Sequence, residues 1–428
     1  MVIFNTAWLF LDKFLKMSIG LFIGVWVIRY LGPTNYGVLS YAQAFVALFA
    51  GIATLAIDSI VVRELVKDPQ NKDEILGTAF CVLVFSSVIS IFCIVICIFI
   101  VKPDDIDIQS IVIILACGIF FQCFNVIDYW FQANLQSRNT VIAKNFVNII
   151  DSLMKVVLII QNSTILMFAI INLTGSFLNA MAMIIMYLKT KSKLVNWKFN
   201  SKLMSQFLTD SYPLAISLLS YLIYSRIDQL MIGSMLDTYS VGIYSAANKI
   251  IELYLSLGLT VVSSLYPVLI SSYEKNKELF LSKYQILTSG FTGGALILFF
   301  VNYIWGESII NILYGNKYND SYYILVIQSI GLIFMYNAAL RSSYITITNK
   351  QQIILITAVI SAIINLCLNY VLLPRYGVVG AAWAMTITQM TALLIFNVFF
   401  QHTRRLFNIQ IKGFCLAGLI NCLRNDKI

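Results

Sequence analysis

Near the start of the chain, Lys13, Lys16, Gly20 and Gly24 follow one another at steps of three, four and four. That spacing puts them on one helical face, where two ammonium groups beside two glycines leave room for an anion. Lys144, Asn148, Asp151 and Lys155 form a second stripe, and Asp151 and Lys155 are four apart and can pair. Ser217, Tyr221, Tyr224 and Asp228 make a third, with Arg226 pointing roughly the other way. Lys249 and Glu252, followed by Ser256 and Thr260, make a fourth. Gln43, Thr54 and Asp58 recur along one segment, and Ser361, Asn365 and Asn369 along another. Such groups recognise charge and hydroxyls; they do not form a bond-breaking set. The sequence has no Gly-rich phosphate loop, no catalytic Ser/His pair and no Cys/His cluster with zinc-ligand spacing. No metal site is expected. The eight cysteines lie in apolar segments and read as small buried hydrophobes.

These polar stripes are set in long runs without Asp, Glu, Lys or Arg: 76–101, 108–127, 156–188, 284–306, 321–340, 351–374 and 376–401. About 20 apolar residues cross a bilayer core as a helix. In lipid only helices and closed barrels satisfy their own backbone. The runs are too long and too continuous for barrel strands, which alternate over roughly 10 residues. The chain is therefore an all-α polytopic membrane protein. Its 59% hydrophobic and 11% charged residues agree, as does the mean hydropathy of +0.83. The net charge of +9 is scattered over short loops, which argues against a nucleic-acid surface. The longest polar stretch, 189–211, is too short for a soluble domain. No cleavable signal is expected, because the first apolar segment carries Asp12, Lys13 and Lys16.

The breaks between runs place about twelve transmembrane helices, near 5–30, 38–61, 75–101, 108–131, 141–161, 164–188, 209–232, 241–267, 283–304, 321–345, 351–373 and 377–401. With the N-terminus inside, twenty Lys and Arg fall in inner loops and the tail, and four (Arg29, Lys102, Lys317 and Arg375) fall outside. The positive-inside rule then makes both termini cytoplasmic. The tail at 403–428 has a short apolar piece, 413–423, which is an interfacial helix more readily than another crossing.

Two segments match at an offset of 205 residues, 31–42 and 236–247. Leu31/Leu236, Gly37/Gly242, Ser40/Ser245 and Ala42/Ala247 are identical. Each segment joins a first span to a second, and six spans separate them. The chain thus reads as two six-helix lobes, 1–202 and 203–402, around a central cavity. Simpler roles stay open for individual charges. Lys13 and Lys16 can snorkel to the surface, Asp151–Lys155 and Lys249–Glu252 can be structural pairs, Asp58 and Arg63 can be solvated, and Asn365 and Asn369 can be interhelical glue.

At these residues the chain resembles a known family. The segment from Arg29-Tyr-Leu-Gly-Pro through Ala42 is followed by Arg63-Glu64, Asp128-Tyr-Trp-Phe-Gln-Ala133, Tyr224-Ser-Arg-Ile-Asp228 and Val241 to Lys249, then by Leu313-Tyr-Gly-Asn-Lys-Tyr and Pro374 to Ala382. Together and in this order they resemble the Wzx-type flippases of O-antigen and capsular repeat units. These belong to the superfamily that also holds multidrug exporters and lipid II flippases. Ala133 stands where the family typically has glycine.

The resemblance implies export of an oligosaccharide unit linked through diphosphate to undecaprenol, from inner to outer leaflet. On that footing Lys13, Lys16, Lys155 and Lys249 are the expected head-group contacts, with Arg29 and Arg226 behind them. Asp58, Asp128, Asp151, Asp228 and Glu252 are candidates for pairing those cations or binding a coupling ion, H+ or Na+. Gly32, Pro33, Gly37 and Gly242 are expected to let the lobes rock. A polymerase and a chain-length regulator of the same pathway are candidate partners. No other cofactor is expected. Two rivals remain: a cation-coupled drug antiporter of the same fold, and a polysaccharide polymerase. The first would favour a more acidic interior, and the second a large outer loop.

Overall fold

The structure is a computed structural model that describes residues 2–190, 192–348, 350–399 and 403–414, with the side chains of 2–19, 21, 279 and 405 outside the description. The described residues form helices and no strand. The long ones are α1 (Val2–Thr54), α3 (Lys72–Val101), α4 (Ile106–Phe120), α6 (Ser137–Ile160), α7 (Ile165–Lys189), α8 (Ser201–Met235), α9 (Thr238–Lys275), α10 (Lys277–Leu313), α11 (Ser321–Ile347) and α12 (Gln352–Met390). Shorter helices are α2 (Asp58–Lys67), α5 (Val126–Ala133), α13 (Phe396–Phe399) and α14 (Arg404–Phe414).

Two of the long helices are each a pair of crossings. In α1 the helical path breaks at Gly32, with φ 70° and ψ 171°, and in α12 at Gly377, with φ 57° and ψ −145°. Only glycine enters these regions without strain. Pro33 then opens the second arm of α1, where its missing N–H has no partner to lose. In α12 the arms close on each other: a Cβ on Gly380 would stand 2.4 Å from the carbonyl oxygen of Leu372. Eight described segments are long and apolar enough to span, and Phe22–Lys67 and Gln352–Phe399 are each long enough for two crossings. Adding the more polar α6 and α8 brings the described crossings to twelve.

The chain divides into two compact units, 1–226 and 227–428, and the division falls inside α8. In the first unit a core joins α2, α3, α5, α7 and the start of α8 through Ile57, Leu76, Phe131, Tyr187 and Phe207. The connection from α7 to α8 is fixed against α3. The Lys198 amide donates to the Asp73 carbonyl at 3.0 Å, Asn200 Nδ2 to Glu74 at 3.1 Å, and Trp197 Nε1 to the Tyr187 hydroxyl at 3.0 Å. Gly77 makes this approach possible, since a Cβ there would lie 2.5 Å from the Lys198 carbonyl oxygen.

The expected span 38–61 ends early. Leu55 and Ala56 take positive φ values of 49° and 50°, and α2 begins anew at Asp58. Asp58 is exposed in the first turn of a short amphipathic helix, where a carboxylate favours the helix N-terminus. It stands beyond the break that ends α1.

In the second unit, Val262, Leu269, Phe280, Tyr284, Leu340 and Leu406 join α9, α10, α11 and α14. Buried amides link the helices: Asn302 Nδ2 to Ser329 Oγ at 2.8 Å, and Asn337 Nδ2 to Thr292 Oγ1 at 3.0 Å. Helices in lipid gain little from burying apolar surface, so polar contacts and close packing hold them. The tail helix α14 lies against α10; beyond Phe414 the expected interfacial piece lies outside the described residues.

The repeat is visible within each unit. Gly37, Ser40 and Ala42 are buried in the second arm of α1, and Gly242, Ser245 and Ala247 are buried in α9. Where the first copy turns with Gly32-Pro33, the second has Asp237, whose side chain caps α9 by accepting from the Ser240 amide at 2.7 Å.

Candidate functional site

The stripes resolve into local constellations, each within one unit. In the first unit Lys155 Nζ donates to Asp151 at 2.7 Å on α6. Gly175 of α7 lies against this carboxylate; a Cβ there would be 3.0 Å from Asp151 Oδ1. Both side chains keep about a fifth of their surface exposed, so the pair sits in a seam that is not sealed. Asp128 is more enclosed, at 8% exposure, and accepts from Lys144 Nζ at 2.7 Å and from Gln132 Nε2 at 3.0 Å. This pair ties α5 to α6 and reads as structural. Lys144 was counted among loop cations in the sequence, and its partner was not evident there.

Lys13 and Lys16 lie on α1, but their side chains are outside the described ones. The glycines of the same stripe are open: a Cβ on Gly20 or Gly24 would meet nothing within 4 Å. Arg29 is exposed just before the Gly32 turn. Gly37 and Gly242 are buried inside helices, so the backbone breaks sit at Gly32 and at Gly377, which the sequence reading does not name as a hinge.

In the second unit Asp228 is the focus. It is 2% exposed, on α8. Tyr244 Oη of α9 donates to its Oδ2 at 2.6 Å, and Asn369 Nδ2 of α12 donates to its Oδ1 at 2.6 Å. Asn369 Nδ2 also reaches the Asn365 carbonyl at 2.9 Å and Asn365 Oδ1 at 3.2 Å. At the next residue of each helix, Gln229 Nε2 donates to Ser245 Oγ at 3.1 Å. Three helices thus converge on one carboxyl, and no cation among the described residues is bonded to it. Buried ionisable groups in membrane helices are costly and mark ion or proton sites. Acid and amide oxygens together suit a hard cation or a proton. Asn369 Oδ1 and Asn365 Oδ1 supply further oxygens at the same place, and Asn369 Oδ1 is buried without a hydrogen-bond partner.

The pairing of Asp228 with Asn365 and Asn369 joins residues more than 130 positions apart. The sequence singled out each stripe but not their meeting, and it missed Tyr244, whose motif position gave no polar signal. Lys249 and Glu252 form a loose pair at 3.6 Å, both well exposed, on the face of α9 that also carries Ser256. Arg226 is partly exposed at the division between the units. Among the described residues no group of three His, Cys, Asp or Glu is placed to hold a metal.

Comparison with known proteins gives a consistent result. The model of the polysaccharide biosynthesis protein family matches residues 2–274. The capsular polysaccharide biosynthesis protein CapF of Staphylococcus aureus is 22% identical over 402 residues, 93% of this chain and 98% of its own length. A probable low-salt glycan biosynthesis flippase of Haloferax volcanii is 25% identical over 187 residues, covering 43% of this chain and 39% of that protein. Among solved structures, an inward closed lipid II flippase MurJ superposes over 99% of this chain and 93% of its own, with TM-score 0.73 and 18% identity. An inward-facing multidrug transporter of the MATE family superposes over 93% of this chain and 96% of its own, with TM-score 0.71 and 16% identity. These two likenesses establish the transporter fold.

Proposed function

The chain belongs to the polysaccharide biosynthesis protein family, and from that premise we propose that it carries lipid-linked saccharide repeat units across the bacterial cytoplasmic membrane. The cargo is an oligosaccharide on undecaprenyl diphosphate, moved from inner to outer leaflet by alternating access for capsule or O-antigen assembly. The observation that carries this reading is the family match combined with likeness to a capsular biosynthesis protein over nearly both whole chains. The residues suit the task. Lys13, Lys16, Lys155 and Lys249 offer ammonium groups to the diphosphate, with Arg29 and Arg226 in support. The open face at Gly20 and Gly24 leaves space beside the first two. Tyr221, Tyr224 and Ser217 offer hydroxyl and aromatic contacts to sugar. Both termini are cytoplasmic on the charge bias of the loops.

Coupling falls to Asp228. A buried carboxyl on α8, bridged to α9 and α12, changes its contacts when it takes up H+ or Na+. A ligand that binds one arrangement better shifts the protein toward it. A polymerase of the same pathway receives the product. The multidrug reading shares the fold, but the family match favours a glycan cargo.

Deletion of the gene in its host tests the proposal. Lipid-diphosphate-linked single repeat units should accumulate in the inner leaflet, rescued by wild type and not by Lys155→Ala or Lys249→Ala. Normal surface glycan after deletion, with no second transporter present, refutes it.

A further inference from the structure

Arg341 is an anomaly. It lies two turns from the end of α11 and is 6% exposed. Its Nη1 donates to the Ala392 carbonyl at 2.9 Å, in a π-helical segment, 391–395, that leaves carbonyls outside the regular ladder. Its Nε and Nη2 are buried with no hydrogen-bond partner. A buried charge without a counter-charge is strongly unfavourable. Buried polar groups left unpaired in a folded protein call for an explanation, a bound ion among them.

The surroundings are rich in donors. Tyr284 of α10 is fully buried within electrostatic reach of Arg341. Gln410 of α14 is fully buried, and its Nε2 has no partner while its Oε1 accepts from Asn397 Nδ2 at 2.7 Å. No acid among the described residues bonds to this guanidinium. The tail helix covers the cluster, and Gly413 seats it closely: a Cβ there would come 2.4 Å from Thr288 Cγ2. The Tyr284 hydroxyl is itself without a hydrogen-bond partner, and Arg341 and Gln410 are its polar neighbours; a guanidinium, an amide and a phenol together are a donor set that binds phosphate oxygens.

We propose that Arg341, Gln410 and Tyr284 form an oxyanion site for a phosphate group, and that α14 is the lid over it. In the closed arrangement seen here water does not reach the unpaired nitrogens, so the anion enters while α14 is displaced and α14 then closes over it with Gln410. Closure without the anion buries an uncompensated cation and two unpaired amide atoms, Gln410 Nε2 and Asn397 Oδ1, which makes the docked lid marginal. The site lies near the C-terminal end of α11, the end that the loop charges assign to the inner side. It is independent of Asp228 and of the proposed cargo site.

The test uses the full chain, purified in neutral detergent. Unfolding temperature is measured against inorganic phosphate at constant ionic strength, with hydrogen exchange at 403–414 followed in parallel. A saturable rise in unfolding temperature and slower exchange in α14 are expected. Arg341→Met, which replaces the charge by an apolar side chain of similar length, should fold and lose both responses. Arg341→Lys should need about tenfold more phosphate, because a point charge replaces the fork. In nanodiscs, phosphatidylglycerol in place of phosphatidylcholine should mimic phosphate if the source is a lipid headgroup; if only free phosphate acts, the source is soluble. No phosphate response in wild type, or an equal one in Arg341→Met, overturns the site. A phosphate response without slower exchange in α14 overturns the lid.

Discussion

Replacing Asp228 separates charge from hydrogen bonding. In Asp228→Leu the Tyr244 hydroxyl and the Asn369 amide both lose an acceptor 2.6 Å away. The carboxyl is 2% exposed, so water does not replace it. Asn369 Nδ2 keeps its two Asn365 oxygens, so the loss falls mainly on the Tyr244 bond and costs about 1–3 kcal/mol. Asp228→Asn behaves differently. Its amide oxygen keeps the bond from Asn369 Nδ2, and its amide nitrogen donates to the Tyr244 oxygen once that hydroxyl rotates. Exchanging bonds to a charged group for neutral ones is a net loss of about 0.5–1.5 kcal/mol. Unfolding midpoints of the purified variants should therefore rank wild type, then Asn, then Leu. Transport in vesicles should show the opposite emphasis: Asp228→Asn should lose its response to an imposed Na+ or H+ gradient although it is folded. If Asp228→Leu is as stable as Asp228→Asn, the hydrogen-bond argument fails. If Asp228→Asn keeps full gradient response, Asp228 is not the coupling group.

Three further outcomes follow from the packing. Gly377→Ala forces a side chain into φ 57°, ψ −145° and should destabilise by about 1–3 kcal/mol, whereas Gly290→Ala, with nothing within 4 Å, should leave the unfolding midpoint unchanged. Gly77→Ala pushes against the Lys198 backbone and should cost about 1–3 kcal/mol, seen as faster proteolysis of 190–200. Lys144→Met strands the enclosed Asp128 carboxylate and should destabilise by about 3–5 kcal/mol, while adding Asp128→Leu to Lys144→Met should recover most of that loss in a double-mutant cycle.

Much of the fold is legible in the chain, because uncharged runs of bilayer length admit few structures. The turn at Gly32-Pro33 and the repeat at Gly242 carry local signals. The Asp228 constellation was half legible: Asp228, Asn365 and Asn369 stand out as polar residues in apolar runs, but only the fold brings α8 and α12 together. Asp58 misled because apolar residues continue past Thr54, while the break is set by backbone conformation at Leu55 and Ala56. Arg341 is one of the twenty Lys and Arg that the charge count assigns to inner loops and the tail, since nothing in its sequence neighbourhood shows that α14 covers it.

The most direct test of flipping is reconstitution. The purified protein in liposomes is given a polyprenyl-diphosphate oligosaccharide in the inner leaflet, and its appearance outside is followed with a membrane-impermeant lectin. Flipping requires lectin-accessible saccharide that rises with protein content and is lost in Lys155→Ala and Lys249→Ala. Saccharide that stays enclosed, with correctly folded protein and an imposed gradient, would contradict it.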